Sequence, residues 1–126
     1  MPKISKDTAP NVEDFGPAID HGGHLDDITV DFVTIKQTHS LGPLLKGLPD
    51  DMCQCAHWGY LFAGKLRVTY ADREEVYQAG DAFYMTPGHV PEADAGSEFV
   101  QFSPKDKLAE TVAAIQANAQ KMTHST

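Results

Sequence analysis

The feature that most constrains the fold of this chain is a close succession of short strand patterns between Met52 and Ser103. Runs such as WGYLFA, KLRVTY, VYQA and AFYM are rich in β-branched and aromatic residues, which favour strands. Turn signals at Gly64, at ADREE and at Gly80 separate these runs. Strand patterns that recur about every eight to twelve residues are typical of a β-sandwich or barrel. The sequence therefore predicts an all-β fold.

The segment before this region is predicted to be different. Residues 1–26 are rich in proline, glycine and aspartate and show no periodicity, so we expect an irregular N-terminal arm. The stretch DITVDFVTIKQ is β-branched and partly alternating, which predicts that the barrel begins at residue 27 and extends to 103. The 126 residues of the chain are enough for one such domain, which we expect to span 1–126.

A change of period marks the C-terminal segment, 104–122, which is predicted to be a helix. Ser103 stands where it could cap this helix, with Pro104 at the first helical position. The apolar residues that recur at helical spacing are Leu108, Val112, Ile115 and Ala119. This pattern predicts a single amphipathic helix, packed on the barrel or on a partner subunit.

The charge balance limits the partners of the protein. A formal net charge of −8 at pH 7 argues against nucleic acid, which selects basic surfaces, and against anionic membranes. No apolar run approaches the roughly 20 residues of a transmembrane helix, and the first residues lack the apolar core of a signal peptide. We therefore predict a cytoplasmic protein with reduced cysteines and with no nucleic-acid or membrane partner.

The stretch CQCAHWGY, residues 53–60, holds the strongest candidates for chemistry. Both cysteines of the chain, Cys53 and Cys55, alternate with His57, so an extended strand would project all three side chains from one face. Two thiols and an imidazole are suited to a metal ion, although both residue types are also common in inert cores. Thiols this close along a strand close poorly into a disulfide, and the spacing differs from that of zinc fingers.

The segment from Gly59 to Pro104, and in particular GYLFAGKLRVTYADREEVYQAGDAFYMTPGHVPE, resembles the core hairpins of the cupin family. The resemblance implies a cupin-type double-stranded β-helix, a small jelly-roll barrel that is usually a homodimer. It also implies one divalent metal inside the barrel. In the family, two histidines and a glutamate from a first motif and a histidine from a second motif hold that metal.

The first of these motifs matches this chain in part. In the family the glutamate lies seven residues before a turn glycine, and counting back from Gly64 places His57 at that position. One spacing places the two upstream histidine positions on Asp51 and Cys53. A longer spacing places them one residue earlier. The resemblance therefore implies a ligand role for His57 and, with the shorter spacing, for Cys53.

The second motif, counted from Gly80, places Pro91 at the histidine position. His89 lies two residues earlier, on the same side of an extended segment. The predicted metal ligands are Cys53, His57, His89 and, as the alternative thiolate, Cys55. The predicted cofactor is one divalent transition metal, with zinc favoured because thiolates select it, and with iron, copper and manganese as alternatives.

Three functions are consistent with these patterns. The first is a metal-dependent enzyme acting on a small organic molecule, in which the metal is a Lewis acid or activates water or dioxygen. The second is a non-catalytic protein that binds a small ligand or senses metal or redox state through its thiols. The third is a structural dimer with a filled barrel. An open coordination position on the metal would favour the enzyme. A closed site with four protein ligands would favour the binding or sensing protein, and a dry, filled barrel would favour the structural dimer.

Overall fold

The computed structural model of the protein describes residues 2–124. Ten strands, two short 3₁₀ turns and one helix make up these residues. The strands are β1 (Asn11–Asp14), β2 (Ala18–Leu25), β3 (Ile28–Ile35), β4 (His39–Ser40), β5 (His57–Ala63), β6 (Lys65–Tyr70), β7 (Glu74–Gln78), β8 (Ala82–Met85), β9 (His89–Ala93) and β10 (Glu98–Pro104). The 3₁₀ turns span Gly42–Leu45 and Pro49–Asp51, and the helix α1 spans Lys105–His124.

Two antiparallel sheets form the barrel. One has six strands in the order β1-β2-β3-β10-β5-β8, and the other has four in the order β4-β9-β6-β7. Side chains from both inner faces interdigitate as in other sheet packings. The main core residues are Leu61, Leu66, Val68, Tyr77, Phe83, Met85 and Phe99. The predicted all-β jelly roll with one C-terminal helix is confirmed.

The turns that the sequence predicted at Gly64 and Gly80 are present between β5 and β6 and between β7 and β8. Both glycines have a positive φ, of 87° and 97° respectively, which only glycine adopts without steric cost. At Gly64 a side chain would also collide with Ser97. Both turns carry the chain from one sheet to the other, and their glycines are why these strand boundaries could be predicted.

The N-terminal segment differs from the irregular arm predicted for 1–26. Residues 11–25 form β1 and β2, which extend the six-stranded sheet through pairs such as His21 with Phe32. The prediction missed these strands because their inward positions hold Asp20 and Gly22 instead of apolar residues. Polar residues on that face line an internal cavity, so the alternation of apolar and polar residues is absent.

The helix covers one end of the barrel with a face that differs from the predicted one. Thr111 is buried and Val112 is exposed, while Leu108 and Ile115 pack against the buried Leu45. The buried face of the helix therefore includes a polar residue, Thr111, whose hydroxyl contacts Cys53 in the barrel. No helix in residues 2–124 combines the length and apolar composition required to cross a bilayer.

Candidate metal centre

Three predicted ligands meet at the end of the barrel beneath α1. One ligand atom from each of Cys53, His57 and His89 lies within 4.8 Å of the other two, and all three residues are buried. The Sγ atom of Cys53 is 3.6 Å from Nε2 of His57. The two imidazole rings meet edge to face, with centroids 5.2 Å apart and planes inclined by 64°.

Backbone pairing places two of these residues side by side. The backbone N–H of Cys53 donates to the carbonyl of His89 at 2.9 Å, and the N–H of Gly88 donates to the carbonyl of Cys53 at 2.8 Å. This isolated bridge joins the segment before β5 to the start of β9. His57 is the first residue of β5. All three ligands therefore approach the same end of the barrel.

The predicted alternative thiolate, Cys55, lies outside this group of ligand atoms. Its side chain has no exposed surface and packs in an apolar cluster with Leu45 and Leu108. Residues 54–56 are not part of a strand, so the alternation that would place Cys55 beside Cys53 and His57 does not hold. Burial raises the pKa of the Cys55 thiol to about 12.

A hydrogen bond fixes the tautomer of His89. Its Nδ1 lies 2.6 Å from the carbonyl oxygen of Thr86, and because a carbonyl only accepts, Nδ1 carries the proton. Nε2 therefore presents a lone pair. This atom is buried and has no hydrogen-bond partner, on a side chain with 0% exposure. Burial also lowers the pKa of His89, which keeps the imidazole in its metal-binding form.

Ser103 holds the second imidazole. Its Oγ lies 2.6 Å from Nδ1 of His57, which leaves Nε2 of His57 directed toward the thiol of Cys53. Burial and then the neighbouring His89 lower the pKa of His57 to about 3. The imidazole is therefore neutral at physiological pH, as metal ligation requires.

The thiol of Cys53 is the ligand that has to lose a proton. Burial raises its pKa, and the opposing effect of a hydrogen bond with Thr111 is smaller. The Oγ1 of Thr111, on α1, lies 3.5 Å from Cys53 Sγ. A bound metal ion supplies the positive charge that this buried thiolate otherwise lacks.

The donor set fits a metal ion. Bond lengths of about 2.3 Å for Zn–S and 2.0–2.1 Å for Zn–N place sulfur and nitrogen about 3.5 Å apart across a tetrahedral site. The observed separation between Cys53 and His57 is 3.6 Å. The unpartnered Nε2 of His89 is a buried polar atom that a metal ion would satisfy. A thiolate with two imidazoles is suited to zinc or copper.

Sequence patterns missed the residues that orient these ligands. Ser103 was predicted to cap the helix, but it ends up fully buried on β10 and contacts His57. Thr111 lies on α1, far from any candidate ligand in sequence, and Thr86, three residues before His89, acts through a backbone carbonyl that no side-chain pattern indicates. Only the inward alternation of β10, which places Ser103 on the same side as Phe99, could have indicated one of them.

An internal cavity of about 790 Å³ adjoins the three ligands. Apolar side chains such as Val33, Leu66 and Phe99 form much of its wall. Its polar lining residues beyond the candidate ligands are Asn11, Glu13, Asp20, His24, Thr29, Asp31, His39, Gln101, Lys105, Thr111 and Gln116. A barrel filled by its own side chains would leave no such space, so the third function considered above is disfavoured.

No protein-family model and no curated protein matches the sequence, but solved structures match the fold. A protein of unknown function from Rhizobium leguminosarum has a TM-score of 0.59 at 17% identity, covering 82% of this chain and 95% of its own. The polyketide cyclase RemF from Streptomyces resistomycificus has a TM-score of 0.59 at 11% identity, covering 83% and 80%. An RmlC-like cupin from Shewanella frigidimarina has a TM-score of 0.51 at 17% identity, covering 75% and 83%. This chain has the cupin fold.

The likeness to these structures concerns the arrangement of strands. At identities of 11% to 17% it transfers no activity to this protein, because one fold serves many functions. The chemistry of this protein has to be argued from its own side chains. Those side chains are the Cys53, His57 and His89 group and the cavity beside it.

Proposed function

We propose that this protein holds one divalent transition metal, with zinc favoured, on Cys53, His57 and His89, and that it acts on a small organic molecule in the adjoining cavity. The observation that carries the proposal is the fully buried His89, whose Nε2 has no partner, in a group with Cys53 and His57 whose ligand atoms lie within 4.8 Å of one another. A buried polar atom without a partner is costly, and ligation removes that cost.

Three protein ligands point to a reactive site rather than a structural one. Structural zinc sites are closed by four protein ligands, whereas catalytic sites keep a fourth position for water or substrate. In residues 2–124 the group contains three candidate ligands. A bound metal would supply Lewis-acid chemistry at that open position. The cavity of about 790 Å³ is in the range that small organic ligands occupy, about 300–1,000 Å³.

The alternative of redox sensing through the thiols has less support. Sensor thiols are exposed and have a low pKa, whereas Cys53 and Cys55 are both buried with raised pKa values. Non-catalytic binding of a small ligand at the metal is the remaining alternative. Location in the cytoplasm and assembly as a homodimer stay predictions from the sequence.

Elemental analysis of the untagged, purified protein after incubation with zinc tests the proposal. We expect about one zinc per chain. His57→Ala, His89→Ala and the more conservative substitution Cys53→Ser should each lose zinc binding, because each removes one of the three ligands. Cys55→Ser is the matched control and should keep full occupancy. Equal zinc uptake by Cys53→Ser and the parent, or no uptake of zinc, iron, copper or manganese, would show that the proposal is wrong.

A further inference from the structure

A buried carboxyl group, that of Asp31, and a half-buried one, that of Asp20, lie on the inner face of the six-stranded sheet. Asp20 is on β2 and Asp31 on β3, and both line the cavity. Gly22 pairs with Asp31 in the β2–β3 register. A Cβ atom on Gly22 would lie 2.7 Å from Oδ1 of Asp31 and 3.6 Å from Oδ1 of Asp20. The missing side chain therefore leaves the space in which the two carboxyl groups meet.

The two carboxyl groups face the same open space beside Gly22. Like charges held this close in a buried site resist ionising together, so the pair keeps one proton at neutral pH. Burial, and then the charge of Asp31, raise the pKa of Asp20 to about 9, and burial raises the pKa of Asp31. The groups that interact with the pair are Glu13 on β1, His24 on β2 itself and Gln101 on β10.

Unpartnered polar atoms indicate that this cavity receives a ligand. Oδ1 of Asp20 is buried and accepts no hydrogen bond from any described donor, and Asp31 has only 7% exposure. Across the same cavity, the fully buried His89 presents its unpartnered Nε2. Buried polar atoms are normally satisfied. Three residues that line this cavity, Asp20, His39 and His89, carry such an atom. A molecule that contacts Asp20 and His89 would satisfy two of the three.

We propose that Asp20 and Asp31 bind the ammonium group of a small organic amine whose other end reaches the metal centre. The proposal deepens the proposed function, and it rests on that function for the role of the metal. An ammonium group presents N–H donors to both carboxylates and replaces the proton that the pair keeps. Glu13 adds negative charge beside the pair and His24 opposes it, so a cation is favoured over an anion.

The strand register sets the length of the ligand. Asp31 pairs with Gln101, and Gln101 pairs with Gly59, which lies two residues from His57 on β5. Two strand spacings and two residue rises separate the Cα atoms of Asp31 and His57 by about 12 Å. Side chains that point into the cavity shorten this gap. An amine with a chain of about six carbons can span it.

Calorimetric titration with hexylammonium, with hexan-1-ol as its neutral counterpart, tests the proposal. We expect hexylammonium to bind and to release about one proton, seen as a heat that depends on the ionisation enthalpy of the buffer. Its affinity should rise from pH 6 to pH 8 by up to about tenfold per pH unit, because the amine displaces a proton. Equally tight, pH-independent binding of hexan-1-ol would overturn the proposal, as would no binding of hexylammonium.

Variants locate the site. Asp20→Asn and Asp31→Asn should each weaken hexylammonium binding by about tenfold or more and abolish proton release, whereas Glu74→Gln, an exposed acid on β7, should leave both unchanged. Binding by Asp20→Asn equal to that of the parent would overturn the proposal. If hexylammonium binds but the protein takes up no zinc, this inference stands and the proposed function fails. If the protein takes up zinc but does not bind hexylammonium, the proposed function stands and this inference fails.

Discussion

At the scale of single residues, the orientation of two imidazoles decides what the site can bind. Ser103 and Thr86 each contact the Nδ1 of one histidine at 2.6 Å. Such partners fix the ring and raise the basicity of the ligand. The Thr86 partner is a backbone carbonyl, whereas the Ser103 partner is a side-chain hydroxyl that a substitution can remove. Its removal should change metal affinity more than stability.

Ser103→Ala should weaken zinc binding by about 10- to 100-fold, the usual effect of losing such a partner. Competition with a chelator of known affinity measures this change. Ser97→Ala is the matched control, because Ser97 is equally buried but its hydroxyl donates to the backbone carbonyl of Lys65. The control should lose stability and keep the parental zinc affinity. Parental affinity in Ser103→Ala would contradict the role assigned to this hydroxyl.

Asp20 should make the stability of the protein depend on pH. Its pKa in the folded state is about 9, above the ordinary value of 3.8, so the folded state binds the proton more tightly than the unfolded state. This contribution to stability is complete below about pH 4 and is lost as the pH rises toward 9. Relative to Asp20→Asn, the parent should lose up to about 1.4 kcal/mol per pH unit in this window.

Urea unfolding of the parent and of Asp20→Asn at pH 5, 7 and 9 measures this difference. Glu74→Gln makes the same kind of acid-to-amide change at an exposed position on β7 and is the matched control. A constant difference between parent and Asp20→Asn across the three pH values would mean that Asp20 is ionised throughout.

Sequence patterns could identify Cys53, His57 and His89 as candidates because motif spacing and a Pro-Gly turn are local. They could not choose between Cys53 and Cys55, since that choice depends on residues 54–56 leaving the strand geometry. Asp20 and Asp31 could not be found at all. The two carboxyl groups come together only through the pairing of β2 with β3, and neither aspartate lies in a recognisable sequence motif.

At the scale of secondary-structure elements, α1 and the first 3₁₀ turn form the cover of the site. Asn118 donates from Nδ2 to the carbonyls of Leu44 and Lys46, at 2.8 Å each. These bonds join the helix to a loop whose carbonyls would otherwise depend on water. Leu108 and Ile115 pack against Leu45 beside them, so polar and apolar contacts act together.

Asn118→Ala should lower the free energy of unfolding by about 1–3 kcal/mol, because two hydrogen bonds to the loop are lost. Urea unfolding measures the loss. Gln120→Ala, on the exposed side of the same helix, is the control for helix propensity and should be neutral or slightly stabilising. If Asn118→Ala were as stable as this control, the contact between helix and loop would contribute little.

Elements were predictable where turn chemistry or apolar periodicity was strong. The boundaries of β5, β6, β7 and β8 follow from the turns at Gly64, at residues 71–73 and at Gly80, whereas β1 and β2 lack apolar alternation because they border a polar part of the cavity. The existence of α1 was predictable but its buried face was not. Thr111 and Asn118 find polar partners on the barrel, and only the tertiary structure supplies these.

At the scale of the whole molecule, the outer face of the six-stranded sheet is unusually apolar. Trp58 stacks on Tyr84 with ring centroids 4.8 Å apart, and Tyr60 meets Phe62 edge to face. These four side chains and Phe102 are exposed. Contiguous aromatic surface of this kind marks an interaction site, and a second copy of the chain would cover it.

We expect light scattering at micromolar concentration to give twice the 13.7 kDa mass of the chain. Tyr60→Asp, which places a charge in the middle of this face, should yield a monomer that is still folded. Val76→Asp makes the same kind of change on β7, at an exposed position of the other sheet, and should remain a dimer. A parent mass near that of one chain would refute the homodimer.

The backbone bridge between Cys53 and His89 also bears on what happens when metal is absent. Its hydrogen bonds hold two ligands together through main-chain atoms alone, and a large apolar core supports the rest of the fold. We therefore expect the circular-dichroism spectrum and the unfolding transition to persist after chelation. Loss of the cooperative transition on chelation would contradict this expectation.

The order of events in the cell follows from that independence. A zinc finger acquires its ion as it folds, and it is unfolded without that ion. This barrel would be complete on leaving the ribosome, and its ion would arrive afterwards and could later be replaced. The ion it carries would then depend on the metals available to the organism. The same folded polypeptide could therefore be active in metal-rich growth and inactive in metal-starved growth.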